Sequence, residues 1–241
     1  MPRIVADLHT HSLASTHAYS TVGELLAAAA ALGLDALALT DHGPALPDAP
    51  HPWHFDNLRV LPREVGGVRL LRGCEVNIRT LSGDVDLDET MLGRMDWIVA
   101  SFHEPCLAPG TVAEHTEAYL NALANPGVDS LGHTGSIQFP YDVDAVVKAC
   151  RDAGKTIEIN AGSFKVRPRS VPNCRRIAES CAKHGTFVVV TSDAHSHWDV
   201  GAFAPVLALL DEIGFPGDLI LNADRDRLFR YIETRRGRSL A

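Results

Sequence analysis

Short apolar, β-branched runs alternate along this chain with longer segments on the helical period, and that alternation leaves few architectures open. Strands are predicted near residues 3–8, 35–40, 68–76, 96–102, 128–133, 156–160 and 186–192. Helices are predicted near 22–32, 112–124, 142–153, 172–184 and 200–213, with a last one near 225–236. Strands that alternate with helices in this way build a parallel sheet covered by helices. Seven strands predict a barrel-like (β/α)7 α/β fold, and an open doubly wound sheet has a similar pattern. No internal repeat or shift in composition divides the chain, so residues 1–241 are expected to form one domain.

Local signals support the boundaries. Thr21-Val22-Gly23-Glu24 and Thr111-Val112-Ala113-Glu114 are capping boxes, in which hydroxyl and carboxylate satisfy amides that the first helical turn leaves unpaired. Gly33, Gly154, Gly185 and Gly237 stand where helices should stop. Between Gly43 and Pro52 the chain carries Pro44, Pro47, Pro50 and Pro52, followed by Trp53-His54-Phe55. That stretch is too long for a simple turn and is expected to form a shaped loop over the face it leaves.

Bulk properties exclude several classes. Twenty-two basic residues against 30 acidic ones give a net charge of −8, which disfavours binding of extended nucleic acid. The apolar run from Leu25 to Leu39 is interrupted by Gly33 and Asp35 and falls short of the roughly 20 residues a membrane span needs. No signal peptide is expected, since the first apolar segment, from Ile4, runs directly into Asp7-Leu8-His9-Thr10-His11. Five cysteines, at 74, 106, 150, 174 and 181, make no CxxC pair, so a reducing, cytoplasmic setting is expected and thiolate zinc is not.

The 12 histidines are placed unevenly. His9 and His11 end the first predicted strand and His42 follows the second. Glu75 ends the third, His103 the fourth and His133 the fifth, while Asp193 and His195 end the seventh. Carboxyl ends of parallel barrel strands converge on one face, so six of seven strands direct a metal-competent side chain to the same mouth. Residues i and i+2 of a strand point the same way, which pairs His9 with His11 and Asp193 with His195. His17, on the loop after the first strand, can reach the same place. A lone histidine at a strand end is more often a hydrogen-bonded residue than a ligand, but coincidence at so many equivalent positions favours a metal centre. Strand six ends in Asn160, expected to orient water or substrate. His115 and His184 fall within helices and read as surface or half-buried residues. His197 could border the site but lacks a paired spacing, and His51 and His54 belong to the proline-rich loop, where substrate contact and plain packing are both open.

These residues make the chain resemble the PHP (polymerase and histidinol phosphatase) superfamily. Its D-x-H-x-H pattern is Asp7-Leu8-His9-Thr10-His11, its T-D-H pattern Thr40-Asp41-His42, and its S-D-x-H pattern Ser192-Asp193-Ala194-His195. The likeness is closest to the YcdX-type phosphatases, through Ala14-Ser15-Thr16-His17-Ala18-Tyr19-Ser20, His42-Gly43-Pro44, Trp53-His54-Phe55 and Phe102-His103-Glu104-Pro105. The resemblance spans essentially the whole chain and implies a distorted (β/α)7 barrel with a trinuclear metal site. One ion would take His9, His11, Glu75 and Asp193. A second would share Glu75 and add His103 and His133, and the third would take His17, His42 and His195. Two departures fall beside ligands: Thr134 follows His133 where proline is expected, and Thr191 replaces a glycine. The resemblance also implies a homo-oligomer.

Imidazole and carboxylate donors without thiolate suit three divalent ions, Zn²⁺ or Mn²⁺, with Fe also compatible. Such ions lower the pKa of bound water to about 7 and hold phosphate oxygens for in-line attack. The expected activity is therefore hydrolysis of a small phosphomonoester by a metal-activated hydroxide, with Glu75, Asp193 and His195 as catalytic residues. Asp7, of the same parity as His9, is read either as supporting a ligand imidazole or as a solvated strand residue. His54, Asn160, Lys165 and Arg167, with Arg169 beside them, are the candidate substrate contacts. Competing readings are a histidinol phosphatase, an enzyme acting on nucleotide or nucleic-acid ends, and a non-catalytic metal-holding module.

Overall fold

Seven strands run parallel in the computed structural model, which describes residues 2–240. In chain order they are β1 (Ala6–Thr10), β2 (Ala36–Leu39), β4 (Val68–Asn77), β5 (Trp97–Ser101), β6 (Ser130–Leu131), β7 (Thr156–Asn160) and β8 (Val188–Thr191), each hydrogen-bonded to the next. A two-residue strand, β3 (Glu64–Val65), pairs antiparallel with the start of β4. The sheet curls into a nearly closed, TIM-like barrel. Its last seam joins β1 to β8 through the Thr10–Ala194 bridge, where His11 N donates to Ala194 O at 2.8 Å. Lower in the seam the buried Asn222 side chain spans both edges. Its Nδ2 donates to Ala6 O (2.8 Å) and Val190 O (2.6 Å), and its Oδ1 accepts from Val190 N (3.0 Å).

The long helices occupy the predicted segments: α1 (Val22–Ala31), α4 (Val112–Ala124), α5 (Val143–Asp152), α7 (Val171–His184), α8 (Ala204–Glu212) and α9 (Arg225–Arg236). Both capping boxes form. Three shorter helices were not predicted: α2 (Pro52–Asn57), α3 (Glu89–Arg94) and α6 (Gly162–Val166). Five or six residues show too little periodicity to register as helical. The first two of these are started locally, by the His51 side chain accepting from Trp53 N and the Asp88 side chain from Met91 N. The first strand also begins later than expected, at Ala6.

Inward and outward positions separate cleanly. Leu37, Leu39, Leu70, Cys74, Val76, Ile98, Ala100, Ile157, Ile159, Val188 and Val190 face the surrounding helices. Ala6, Leu8, Ala36, Ala38, Leu71, Trp97, Val99 and Val189 fill the barrel's lower half, plugged from below by Leu228 and Ile232 of α9. Arg235 and Arg236 hold that helix on Asp129, and Arg238 binds Asp96. The upper half of the same interior is polar: Glu75, Asn77, Ser101, Glu158, Asn160 and Thr191 are all buried. The switch from apolar to polar along one inward face places the functional mouth at the carboxyl ends of the strands.

Candidate metal centre

β1 delivers two histidines to the mouth by breaking its own alternation. Asp7 pairs with Leu37 but Thr10 pairs with Leu39, so β1 uses three residues where β2 uses two. The extra residue is a bulge, a device that re-aims side chains. Leu8 therefore points into the lower core while His9 and His11 turn into the mouth. Asp7 is left on the other side, and the reading that it supports an imidazole is corrected. Its carboxylate instead accepts from Ser192 N (3.1 Å), Ser192 Oγ (2.5 Å) and Gly201 N (3.0 Å), tying β1 to the loop after β8. Burial raises its pKa to about 6 against those hydrogen bonds.

The structure brings all nine expected donors together. His9 Nε2 lies 3.4 Å from Glu75 Oε2 and 3.6 Å from Asp193 Oδ1, and His11 Nε2 lies 3.7 and 3.2 Å from the same two oxygens. Donors around a tetrahedral ion with bonds of roughly 2.0–2.3 Å stand about 3.3–3.7 Å apart, so this quartet has the spacing of a coordination shell. Glu75 Oε1 meets His133 Nε2 at 2.8 Å and His103 Nε2 at 3.5 Å. His17 Nε2 is 2.8 Å from His195 Nε2 and 3.3 Å from His42 Nε2. His42 is shared: its donors also group with Glu75 and His103, and with His11 and His195. The donors thus form one continuous cluster and not three separate sets.

Two observations indicate that these atoms are arranged for a cation. His9 Nε2 is buried without a hydrogen bond, 3.4 Å from Glu75 Oε2, which also lies 2.8 Å from His42 Nδ1. A buried polar atom is rarely left without a partner, and an ion between His9 Nε2 and Glu75 Oε2 would satisfy both. The protonation states agree in part, for against the effect of burial the surrounding carboxylates raise the His9 and His42 imidazoles above their ordinary value, so that a cation must displace a proton from each. Burial opposes ionisation of Glu75, yet His9, His103 and His42 around it hold its carboxyl well below the usual range. Asp193 is held down in the same way, against burial, by His9, His11 and His195. Burial pushes the His11 and His103 imidazoles down to about 3, which leaves them neutral and able to ligate.

Two of the donors sit on strained backbone. His133 (φ 26°) and Asp193 (φ 56°) are the non-glycine residues with positive φ among those described. Such conformations cost about 1–3 kcal/mol each and concentrate at functional sites. Gly132 allows the first of these turns, since a Cβ there would lie 2.1 Å from Ser101 Oγ.

The polar groups behind the ligands were largely missed in the sequence. Glu158, on β7, is the hub: Oε1 takes His9 Nδ1 and Thr191 Oγ1, both at 2.6 Å, and Oε2 accepts from His133 N (2.5 Å) and Asn160 Nδ2 (3.1 Å). Glu158 keeps a proton on His9 Nδ1, so the proton that a cation would displace is the one on Nε2, which faces the centre. Thr191, flagged as a departure, supplies one of these bonds. Asn77 Oδ1 meets His103 Nδ1 at 2.7 Å, and Asn77 is itself held by Asp86 through its N (2.8 Å) and Nδ2 (2.5 Å). Asp48 pairs with His17 Nδ1. A carboxylate amid the apolar residues of Thr156-Ile157-Glu158-Ile159-Asn160 was the readable signal, two positions before Asn160 and on the same face.

The candidate substrate residues divide. Asn160 is buried and committed to protein: Nδ2 donates to Glu158 and to Asp193 Oδ2 (3.1 Å), and Oδ1 accepts from Ser163 N (2.8 Å). His54 Nε2 lies 3.1 Å from Asp41 Oδ2, whose carboxylate also takes Ser12 and Ser15, so the proline-rich loop is pinned onto the segment carrying His42. Lys165 and Arg167 line a cavity of about 930 Å³ above the donors. Lys165 Nζ pairs with Asp199 (2.9 Å) and Arg167 Nη2 with Asp193 Oδ2 (3.3 Å). Arg169 is exposed. His115, expected at the surface or half-buried, is fully buried, with Nε2 accepting from Gly110 N (2.7 Å) and Nδ1 donating to Pro140 O (2.8 Å).

A TIM-like barrel with histidines and carboxylates gathered at its carboxyl-end mouth defines a class of metal-dependent barrel proteins. The PHP domain family model matches residues 7–164, and the chain belongs to that family. A protein of Acetivibrio thermocellus named probable phosphatase is 45% identical over 236 residues, covering 98% of both chains. Another of that name from Edwardsiella ictaluri is 46% identical over 233 residues, or 96% of this chain and 95% of its own. Among solved structures, a histidinol phosphate phosphatase from Lactococcus lactis, complexed with zinc, L-histidinol and phosphate, superposes with a TM-score of 0.60. It shares 16% identity and covers 88% of this chain and 94% of its own, a likeness of fold.

Proposed function

We propose that this protein is a metal-dependent phosphatase that hydrolyses a small phosphomonoester at a centre of three divalent ions, Zn²⁺ or Mn²⁺. The observation that carries the reading is the buried His9 Nε2, without a hydrogen bond and 3.4 Å from Glu75 Oε2, at a mouth where nine donors meet. Family membership and the names of relatives across the full chain point the same way. His9, His11, Glu75 and Asp193 would hold one ion, Glu75, His103 and His133 a second, and His17, His42 and His195 a third. Bound there, the ions would supply a water of pKa near about 7 and neutralise phosphate charge. Glu75, at the centre of the donor set, keeps its negative charge at neutral pH because imidazoles surround it. Arg167 reaches from the cavity wall to Asp193, close enough to turn toward a phosphate oxygen. The five cysteines are free thiols, which fits work in the cytoplasm. Exposed Tyr19, Trp53 and Trp198 fit a homo-oligomer. We read residues 1–241 as one domain.

Metal content of the purified protein and hydrolysis of simple phosphomonoesters test this. Activity should vanish on chelation, return with Mn²⁺ or Zn²⁺, and be lost in His9→Ala and Glu75→Gln. Metal-replete protein inert toward every phosphoester would leave the metal-holding module as the better reading.

A further inference from the structure

We propose that the cavity above the metal donors selects phosphomonoesters whose leaving alcohol is compact and apolar, with Val166 and Phe164 of α6 as specificity-determining residues. The inference rests on the phosphatase reading and extends it to substrate class.

The cavity has two unlike ends. Its floor is His17, His42, His103, His133, Asp193 and His195, where a phosphate would sit. Its wall is mostly apolar, built from Leu46, Ala161, Phe164, Val166, Ala202 and Pro205. Val166 is 66% exposed, and its open face adds to the apolar wall of the cavity. Among the described residues lining the wall, the cations are Lys165 and Arg167, each beside a carboxylate. Lys165 Nζ lies 2.9 and 3.0 Å from the two oxygens of Asp199, and Arg167 is directed down to Asp193. A substrate carrying a second anion would find its nearest cation already neutralised. One rich in hydroxyls would exchange water for carbon. An apolar alcohol displaces water from that wall and gains about fourfold in affinity for each methylene buried. The reaction balances without a further reagent: water oxygen bonds to phosphorus, the P–O bond to the alcohol breaks, and a proton from the water ends on the released alkoxide.

The test is a comparison of kcat/KM on the metal-replete protein. The substrates are benzyl phosphate, butyl phosphate, glycerol 1-phosphate, 2-aminoethyl phosphate and 3-phosphoglycerate. All release alkoxides, and the hydroxyl- and ammonium-bearing alcohols are the more acidic ones, so leaving-group reactivity runs against the expected order. Benzyl phosphate is expected to lead glycerol 1-phosphate by at least about tenfold. Val166→Ser, at a surface position that folding tolerates, should cut that ratio about three- to tenfold. Asp199→Asn should release Lys165 and raise kcat/KM for 3-phosphoglycerate relative to wild type. A flat order, a preference for the amino or carboxylate ester, or a ratio unmoved by Val166→Ser overturns the inference and leaves the phosphatase reading standing. If no ester is cleaved, both fall.

Discussion

Replacing Glu158 by Gln tests whether the buried carboxylate behind the ligands sets metal affinity. Its two oxygens accept four donors: His9 Nδ1 and Thr191 Oγ1 on one, His133 N and Asn160 Nδ2 on the other. Glutamine keeps the shape but offers one accepting oxygen. If its NH2 faces His133 N and Asn160, two buried donors lose their acceptor. At about 1–3 kcal/mol each, that orientation costs roughly 2–6 kcal/mol. The other orientation is cheaper, because the Thr191 hydroxyl can rotate to accept. The His9 ring must then move its proton to Nε2, the atom facing Glu75 and Asp193. A protonated Nε2 cannot ligate, so the penalty falls on metal binding. Loss of such a supporting group typically lowers affinity about 10–100-fold, equivalent to about 1.4–2.8 kcal/mol. Competition titration against a chromogenic chelator measures this directly, and melting of both metal-free proteins separates affinity from folding. Glu158→Gln protein that binds metal within about twofold of wild type would refute the argument.

Asp86→Asn leaves unpaired either Asn77 N or both Ala45 N and Asn77 Nδ2 and loosens His103, so metal stoichiometry and kcat should fall and the metal-free protein should lose about 1–3 kcal/mol for each unpaired donor; elemental analysis, kinetics and melting check this. Asn222→Ala leaves Val190 N and the carbonyls of Ala6 and Val190 without partners in the barrel seam, and should destabilise by about 3–5 kcal/mol in urea unfolding, with metal-free protein affected as strongly as metal-replete. Asp144 is held down to about 2 from its ordinary 3.8 by Ser180 and Lys183. A carboxyl with a depressed folded pKa contributes stability above 3.8 and loses it as pH falls through about 2. Asp144→Asn should therefore melt below wild type at pH 5–7, with the gap closing toward pH 2 in pH-resolved thermal scans.

How much was legible follows from which contacts are local. That His42, Glu75, His103, His133 and Asp193 gather at one mouth could be read without knowledge of neighbours, because a parallel strand delivers whatever residue ends it. Barrel and open sheet could not be told apart from element order, because closure depends on the Thr10–Ala194 bridge and on Asn222, which meets Ala6 from 216 positions away. The α6 wall was also hidden. Five residues carry no period, and the pairing of Lys165 with Asp199 depends on a fold that brings α6 to the loop after β8.

Asp7 and Glu158 show where reading by alternation breaks down. Both are inside a strand, two positions from a residue of interest, and the i, i+2 rule places each on the face of the site. For β7 the rule holds, since its pairing with β8 runs in unbroken register from Ile157 to Asn160. For β1 it fails, because the bulge inserts one residue between Asp7 and Thr10 and reverses the facing of everything before it. The displaced carboxylate then takes Ser192 and Gly201, fixing the loop that holds Asp193 in its left-handed conformation. A bulge is a property of two strands together, visible only in their register. The reversal also explains how Leu8 can close the apolar half of the barrel next to a histidine that opens the polar half.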